Sequence, residues 1–241
     1  MRYTPDVSLP TSVPHRLRDA GGARGVSDGS RGRVGMAAAV LAEVRRPAID
    51  VAVWLREPPA PLHAQSMLAE WAATTQAPPF DRIVDVGHDV LAAVSAAPDA
   101  LRPALAADVS RLLDLFQSIA RAHTFRLFFG VVRDDQCRKF HVDAVAMRMV
   151  TTYVGPGTVW LPEHAVDRAA LARGVSSPAE VNSTVVLDPA SVRHAYAGDV
   201  LMLKGSRHPD VGSFGAVHRS PHLHGGEARL VLVVTAGGPS S

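Results

Sequence analysis

The sequence predicts an α+β protein, with a helical first part packed on a jelly roll or barrel, and three observations carry that expectation. Residues 99–123 present one apolar face at helical spacing. From residue 125 onward the chain breaks into many short apolar runs separated by Gly, Pro and Asp, the texture of short strands and tight turns. Inside that β-rich half a His-x-Asp pair, His141 and Asp143, is followed far downstream by His218.

Of the 241 residues, 47% are hydrophobic and 20% charged, which is the balance of a globular chain able to bury a sizeable core. The length suits one domain of about 200 residues plus a tail. A formal net charge of +2 makes no polycation, so charge implies no nucleic-acid partner. The single cysteine, Cys137, permits no disulfide within the chain and fits a reducing cytoplasm, the expected location. No apolar run reaches the roughly 18 residues of a membrane span. The start has no apolar core of a secretory signal.

In chain order, residues 1–35 are expected to be a disordered leader, interrupted by glycines and poor in large apolar residues. Residues 36–124 are expected to form a helical part packed on the barrel. There Met36–Arg46 is Ala-rich and helical by propensity, and Asp50–Leu55 alternates like a short strand. Pro61–Thr75 reads as a helix with proline in its first turn, and Ile83–Val86 as a short strand. The clearest helix is 99–123, where Leu101, Leu105, Leu112, Phe116 and Ile119 mark a packing face.

The barrel is expected over 125–236, with 237–241 as a tail. Its strands are read at Phe125–Val132, Met147–Val154, Thr158–Leu161, Val185–Leu187, Val192–Tyr196, Val200–Leu203 and Arg229–Thr235. Residues 163–183 are polar and read as a surface excursion. Gly198-Asp199 makes a tight turn.

On an extended strand, residues two apart point to one side. His141 and Asp143 therefore offer an imidazole and a carboxylate together. Adding His218 completes a 2-His-1-carboxylate set, which leaves open positions on Fe(II). Arg229 opens the last strand, where a guanidinium would form a two-pronged pair with a carboxylate. Other readings weigh against parts of this set. His218 would also serve as a loop residue before Pro221, and Arg229 as a surface charge. His208, His222 and His224 lie in Gly/Pro/His-rich loops where a second metal site is conceivable. Cys137 reads as a small apolar residue, or else as a soft ligand favouring zinc. Trp160 and Tyr153 suit barrel packing. Lys204-Gly205-Ser206 lacks the rest of a phosphate loop.

The ordered set His141-x-Asp143, His218 and Arg229 resembles the Fe(II)- and 2-oxoglutarate-dependent oxygenases over residues 125–235. More closely, Phe140–Asp143, Thr152–Pro162 and Val217–Pro221 look like the bacterial domain-of-unknown-function family 1826. The resemblance implies a double-stranded β-helix core, cupin-like, with His141, Asp143 and His218 binding Fe(II). It implies that Arg229 pairs with the far carboxylate of 2-oxoglutarate, with Tyr153 or Arg148 adding a hydrogen bond to that co-substrate. The implied reaction gives succinate and CO2 and hydroxylates an unknown small-molecule or protein substrate. It also implies a functional link to zinc homeostasis. One departure bears on the co-substrate: many such oxygenases carry a serine two residues after the arginine, and here that position is Val231. Two alternatives share the fold: a cupin-like metal protein, zinc-linked and without oxygenase activity, and a degenerate barrel that serves as an interaction protein.

Overall fold

The structure is a computed structural model that describes residues 31–58, 65–85, 90–134, 137–173, 177–210 and 214–237. It begins with β1 (Gly32–Gly35), a 3-10 helix over Ala38–Arg45, β2 (Val51–Trp54), α1 (Gln65–Thr74), β3 (Phe80–Asp85), α2 (Val90–Ala93) and α3 (Arg102–Ala120). The β-rich half runs β4 (Thr124–Val132), β5 (Met147–Val154), β6 (Val159–Leu161), α4 (Arg168–Arg173), α5 (Pro178–Val185), β7 (Arg193–His194), β8 (Val200–Lys204), β9 (Val217–Arg219) and β10 (Arg229–Ala236).

Seven strands form a large sheet in the order β1-β2-β8-β5-β10-β4-β3, and three form a small one in the order β7-β6-β9. An antiparallel bridge between His141 and His218 adds a further rung beside β9. From β4 to β10 the chain passes to and fro between the two sheets. The strands β8-β5-β10-β4 thereby oppose the set β7-β6-β9 and the His141 segment. That interleaving is a double-stranded β-helix, as expected.

Alternation along β10 sorts the two faces of the large sheet. Leu230, Leu232, Val234 and Ala236 join the core beneath α3, while Arg229, Val231, Val233 and Thr235 face inward to a cavity between the sheets. Helix α3 lays Leu105, Val109, Leu112 and Phe116, all fully buried, onto the outer face. Each such side chain stabilises by about 1.5–3 kcal/mol. Asp108 is on the same face at the same spacing. It is ion-paired in two prongs with Arg56, at 2.6 and 2.9 Å, and accepts a hydrogen bond from the Tyr153 hydroxyl at 2.7 Å. Arg56 Nε also donates to the Gly198 carbonyl. The buried charge is thus fully partnered, as burial requires.

Three expectations need correction. The expected leader lies outside the described residues up to residue 30, but its end is ordered. Gly32–Gly35 pairs in parallel with Val51–Trp54, and Arg31 is ion-paired with Asp50. Here backbone pairing, with Val34 against the inner core, replaces the apolar side chains the segment lacks. The stretch 163–183 is not a bare polar excursion. Ser177 caps α5 by accepting from the Glu180 amide, and Pro178 takes its first turn. Ala170, Val181 and Val185 then bury against Phe140, Val159 and Val217 on the outer side of the small sheet. Val185–Leu187 is therefore no strand: Val185 ends α5, and Val186 makes only an isolated bridge to Val166. The expected strand end Val86, part of the expected helix at Pro61, and residues 238–241 of the expected tail lie outside the described residues.

Candidate metal centre

His141 and His218 face each other across the bridge that extends the small sheet. Each amide donates to the other's carbonyl, at 3.0 Å in both directions. Their rings lie 4.6 Å apart, centroid to centroid. Each ring is oriented from behind: His141 Nδ1 is 2.8 Å from the Lys139 carbonyl and His218 Nδ1 is 3.1 Å from the Ala216 carbonyl. A carbonyl only accepts, so Nδ1 carries the proton on both rings and Nε2 presents its lone pair to the centre.

Asp143, 9% exposed, completes the group. His141 Nε2 is 3.3 Å from its Oδ1, and His218 Nε2 is 3.2 Å from its Oδ2. Its backbone is fixed by the loop after β8. The Ser206 amide donates to the Asp143 carbonyl at 2.8 Å, and the Gly205 amide to that of Ala146 at 3.0 Å. Gly205 must be glycine, because a Cβ there would collide with the carbonyl oxygens of Val145 and Asp143.

These residues fit a divalent metal ion. Bonds of roughly 2.1 Å at right angles put neighbouring donors about 3 Å apart, close to the His–Asp separations here. Among the described residues this trio is the one group of three or more His, Cys, Asp or Glu side chains whose ligand atoms lie close enough to share an ion, all within 4.8 Å of one another. Asp143 Oδ2 is shielded from solvent yet completes no hydrogen bond, even with Arg148 Nη1 only 2.8 Å away. Burial pushes the Asp143 carboxyl up, but His141, His218 and Arg148 outweigh it and hold it well below the usual carboxylate range. The donor is ionised at neutral pH. Burial pushes His141 down, but Asp143 and the Lys139 carbonyl raise it overall.

The cavity beside the trio measures about 430 Å³. His141, His218, Arg148 and Arg229 all line it, so the four expected imidazole and guanidinium groups converge. Arg229 is 5% exposed. Its Nε donates to the Pro156 carbonyl at 2.7 Å and its Nη2 to the Thr152 hydroxyl at 3.2 Å. No carboxylate neutralises it among the described residues, and burial alone pushes it down to about 10. Val231 lines the same wall.

Tyr153 is not in this cavity, which corrects its expected place beside a co-substrate. It is fully buried beneath α3, packed edge-on against Phe129 and bonded to Asp108. The reason is parity. Arg148, Val150 and Thr152 point inward from β5, whereas Met147, Met149 and Tyr153 point to the helices. Residues 148 and 153 therefore face opposite sides of one strand. Arg148 does reach the site, but onto Asp143, with its Nε donating to the Thr235 hydroxyl at 3.3 Å.

The other candidates take quieter places. His222 and His224 stack edge to face, with ring centroids 4.9 Å apart, and neither they nor His208 joins a group able to hold a metal among the described residues. Cys137 is exposed at the cavity rim. Trp160 packs between the sheets with Leu201 and Val150. Residues that sequence reasoning missed include Asp108, visible as a carboxylate on an apolar stripe, and Gly205 with Ser206, which carry no local signal of their role.

No helix of the described residues is long and apolar enough to cross a membrane. No curated protein matches the chain. Its structure is similar to several solved ones at low identity. The dioxygenase for auxin oxidation 1 of Arabidopsis thaliana, solved with 2-oxoglutarate, has a TM-score of 0.45 and 10% identity, covering 85% of this chain and 90% of that one. The rice dioxygenase for auxin oxidation has a TM-score of 0.44 and 14% identity, covering 84% and 79%. A prolyl-4-hydroxylase of Pseudomonas putida has a TM-score of 0.39 and 15% identity, covering 83% and 99%. At the level of sequence, the family described as protein of unknown function, DUF1826, matches residues 35–234, nearly the whole described fold, and the chain belongs to that family.

Proposed function

We propose that the protein is an Fe(II)- and 2-oxoglutarate-dependent oxygenase. One observation carries the reading: a partly buried His-Asp-His trio with both Nε2 atoms turned inward shares a cavity with a buried guanidinium that has no acid partner among the described residues. His141, Asp143 and His218 would hold the metal by one face, leaving the positions toward the cavity open. Bound iron would supply activation of O2, coupled to decarboxylation of 2-oxoglutarate to succinate and CO2, with one oxygen atom passing to the substrate. Arg229 would pair with the far carboxylate of 2-oxoglutarate. The Pro156 carbonyl and Thr152 hydroxyl hold that guanidinium in place, so little side-chain freedom is lost on binding. Val231, Val233 and Val150 give the cavity dry walls that keep bulk water from the reacting atoms.

The test is anaerobic addition of Fe(II) and then 2-oxoglutarate, followed by visible absorbance for the metal-to-ligand charge-transfer band. Succinate formation in air is the second readout. Iron bound without any such band would sink the co-substrate half of the reading. Val231, in place of a hydroxyl residue near Arg229, favours one rival: a cupin-like metal protein with no oxygenase activity. That rival predicts zinc retained through purification and no succinate.

A further inference from the structure

The cavity floor is graded in charge, and the grading names a substrate class. Along β10 the inward residues are Arg229, Val231, Val233 and Thr235. Val233 stands opposite Phe128 on one side and Val150 on the other, which makes an apolar band. Thr235 stands opposite Arg126 and Arg148, which makes a polar row with two guanidinium groups. The row and Arg229 are six residues apart on the strand, about 20 Å between Cα atoms. The cavity thus has a cationic end at Arg229, an apolar middle and a second cationic end at Arg148.

Charges in the cavity do not balance once the proposed ligands are in place. Asp81 is ion-paired with Arg126. Asp143 and the two carboxylates of 2-oxoglutarate together answer the divalent metal and Arg229. Arg148, which has only Asp143 as its acid among the described residues, is then left without a full counter-charge. Its side chain is 27% exposed and lines the cavity. Its Nε already donates to Thr235, whose hydroxyl proton is free to donate in turn. Arg219, at the rim over the Phe140 ring, adds to the same sign.

Resting on the oxygenase reading, we propose that the primary substrate carries an anionic group, a carboxylate or a phosphate, received by Arg148 and Thr235, and an apolar portion that lies on Val150, Val233 and Phe128. A partly buried cation whose one carboxylate is shared with a metal ion gains from an anionic ligand.

The full chain loaded with Mn(II) and 2-oxoglutarate is titrated calorimetrically with pentanoate, butyl phosphate, pentanamide and pentylamine. One of the two anions should bind about ten-fold or more tightly than the amide, and the amine more weakly than both. Whichever anion wins assigns the group as carboxylate or phosphate. Arg148→Gln should abolish the preference, while Asp81→Asn, which frees Arg126 and leaves Asp143 untouched, should raise anion affinity several-fold. Equal binding of anion, amide and amine overturns the proposal, as does a preference that survives in Arg148→Gln with Mn(II) still bound. If Arg148→Gln does not fold, Thr235→Val, which removes the second proposed donor, overturns it where the preference for the anion over the amide is unchanged. Failure of the wild-type chain to hold Mn(II) is a different result, which removes the oxygenase reading and this one with it.

Discussion

His141 and His218, distant in sequence, sit directly opposite one another and exchange both backbone hydrogen bonds at 3.0 Å. The register of one rung therefore fixes the distance between two donors. Slipping it by one residue would turn a histidine to the outer face.

Asp143 is the third donor, so Asp143→Ala tests the trio. It should lower affinity for Fe(II) or Zn(II) by at least about 100-fold, since even outer partners of metal ligands cost 10–100-fold. Removing metal with a chelator should lower the melting temperature of the wild-type chain but not of the variant, because only the former gains from binding. Metal content unchanged in Asp143→Ala would mean the three side chains hold no ion.

Much of this site was legible because it depends on order and parity. The pair His141 and Asp143, the distant His218 and the arginine opening the last strand could be placed together from the sequence. The strand Met147–Val154 was read with the limits observed, but which of its two faces meets the cavity was not. Tyr153 or Arg148 was expected to add a hydrogen bond to the co-substrate, and their odd separation on one continuous strand puts them on opposite faces, with only Arg148 toward the cavity. The stretch 163–183 was obscured for another reason: its buried face is made of a few small residues, Ala165, Ala170 and Val181, spread over short helices. The loop at Gly205 acts through backbone contacts that side-chain chemistry does not announce.

Arg229→Gln should separate metal from co-substrate. Glutamine still donates to the Pro156 carbonyl but loses the charge and the fork. Metal affinity should stay within about two-fold of wild type. Affinity for 2-oxoglutarate should fall roughly 100-fold, the scale of a charge-assisted two-pronged pair of about 3 kcal/mol. Calorimetric titration of the Mn(II)-loaded variant reads both, and equal loss of metal and co-substrate would place Arg229 in the wrong role.

Tyr153→Phe should affect stability alone. The hydroxyl is bonded to Asp108 within the buried Arg56 pair, so its loss should cost about 1–3 kcal/mol. In a chain of this size that is a fall of several degrees in melting temperature. Because the ring faces the helices, 2-oxoglutarate affinity should not change. A ten-fold loss of that affinity with normal stability would contradict the orientation of β5.

Gly205→Ala should damage the metal site without altering any donor. A methyl at residue 205 meets the Asp143 carbonyl oxygen at 2.7 Å and comes closer still to that of Val145. Both belong to rigid backbone, so the loop after β8 must move away and the Ser206 amide loses its grip on Asp143. The expected result is weaker metal binding by about ten-fold or more, the range for lost support of a ligand, together with destabilisation above about 1 kcal/mol. Gly225→Ala is the matched control, since a Cβ there meets nothing within 4 Å; it should change neither property. Metal binding in Gly205→Ala equal to that in the control would show that Asp143 is held by its own segment, next to the His141 bridge, rather than by the loop.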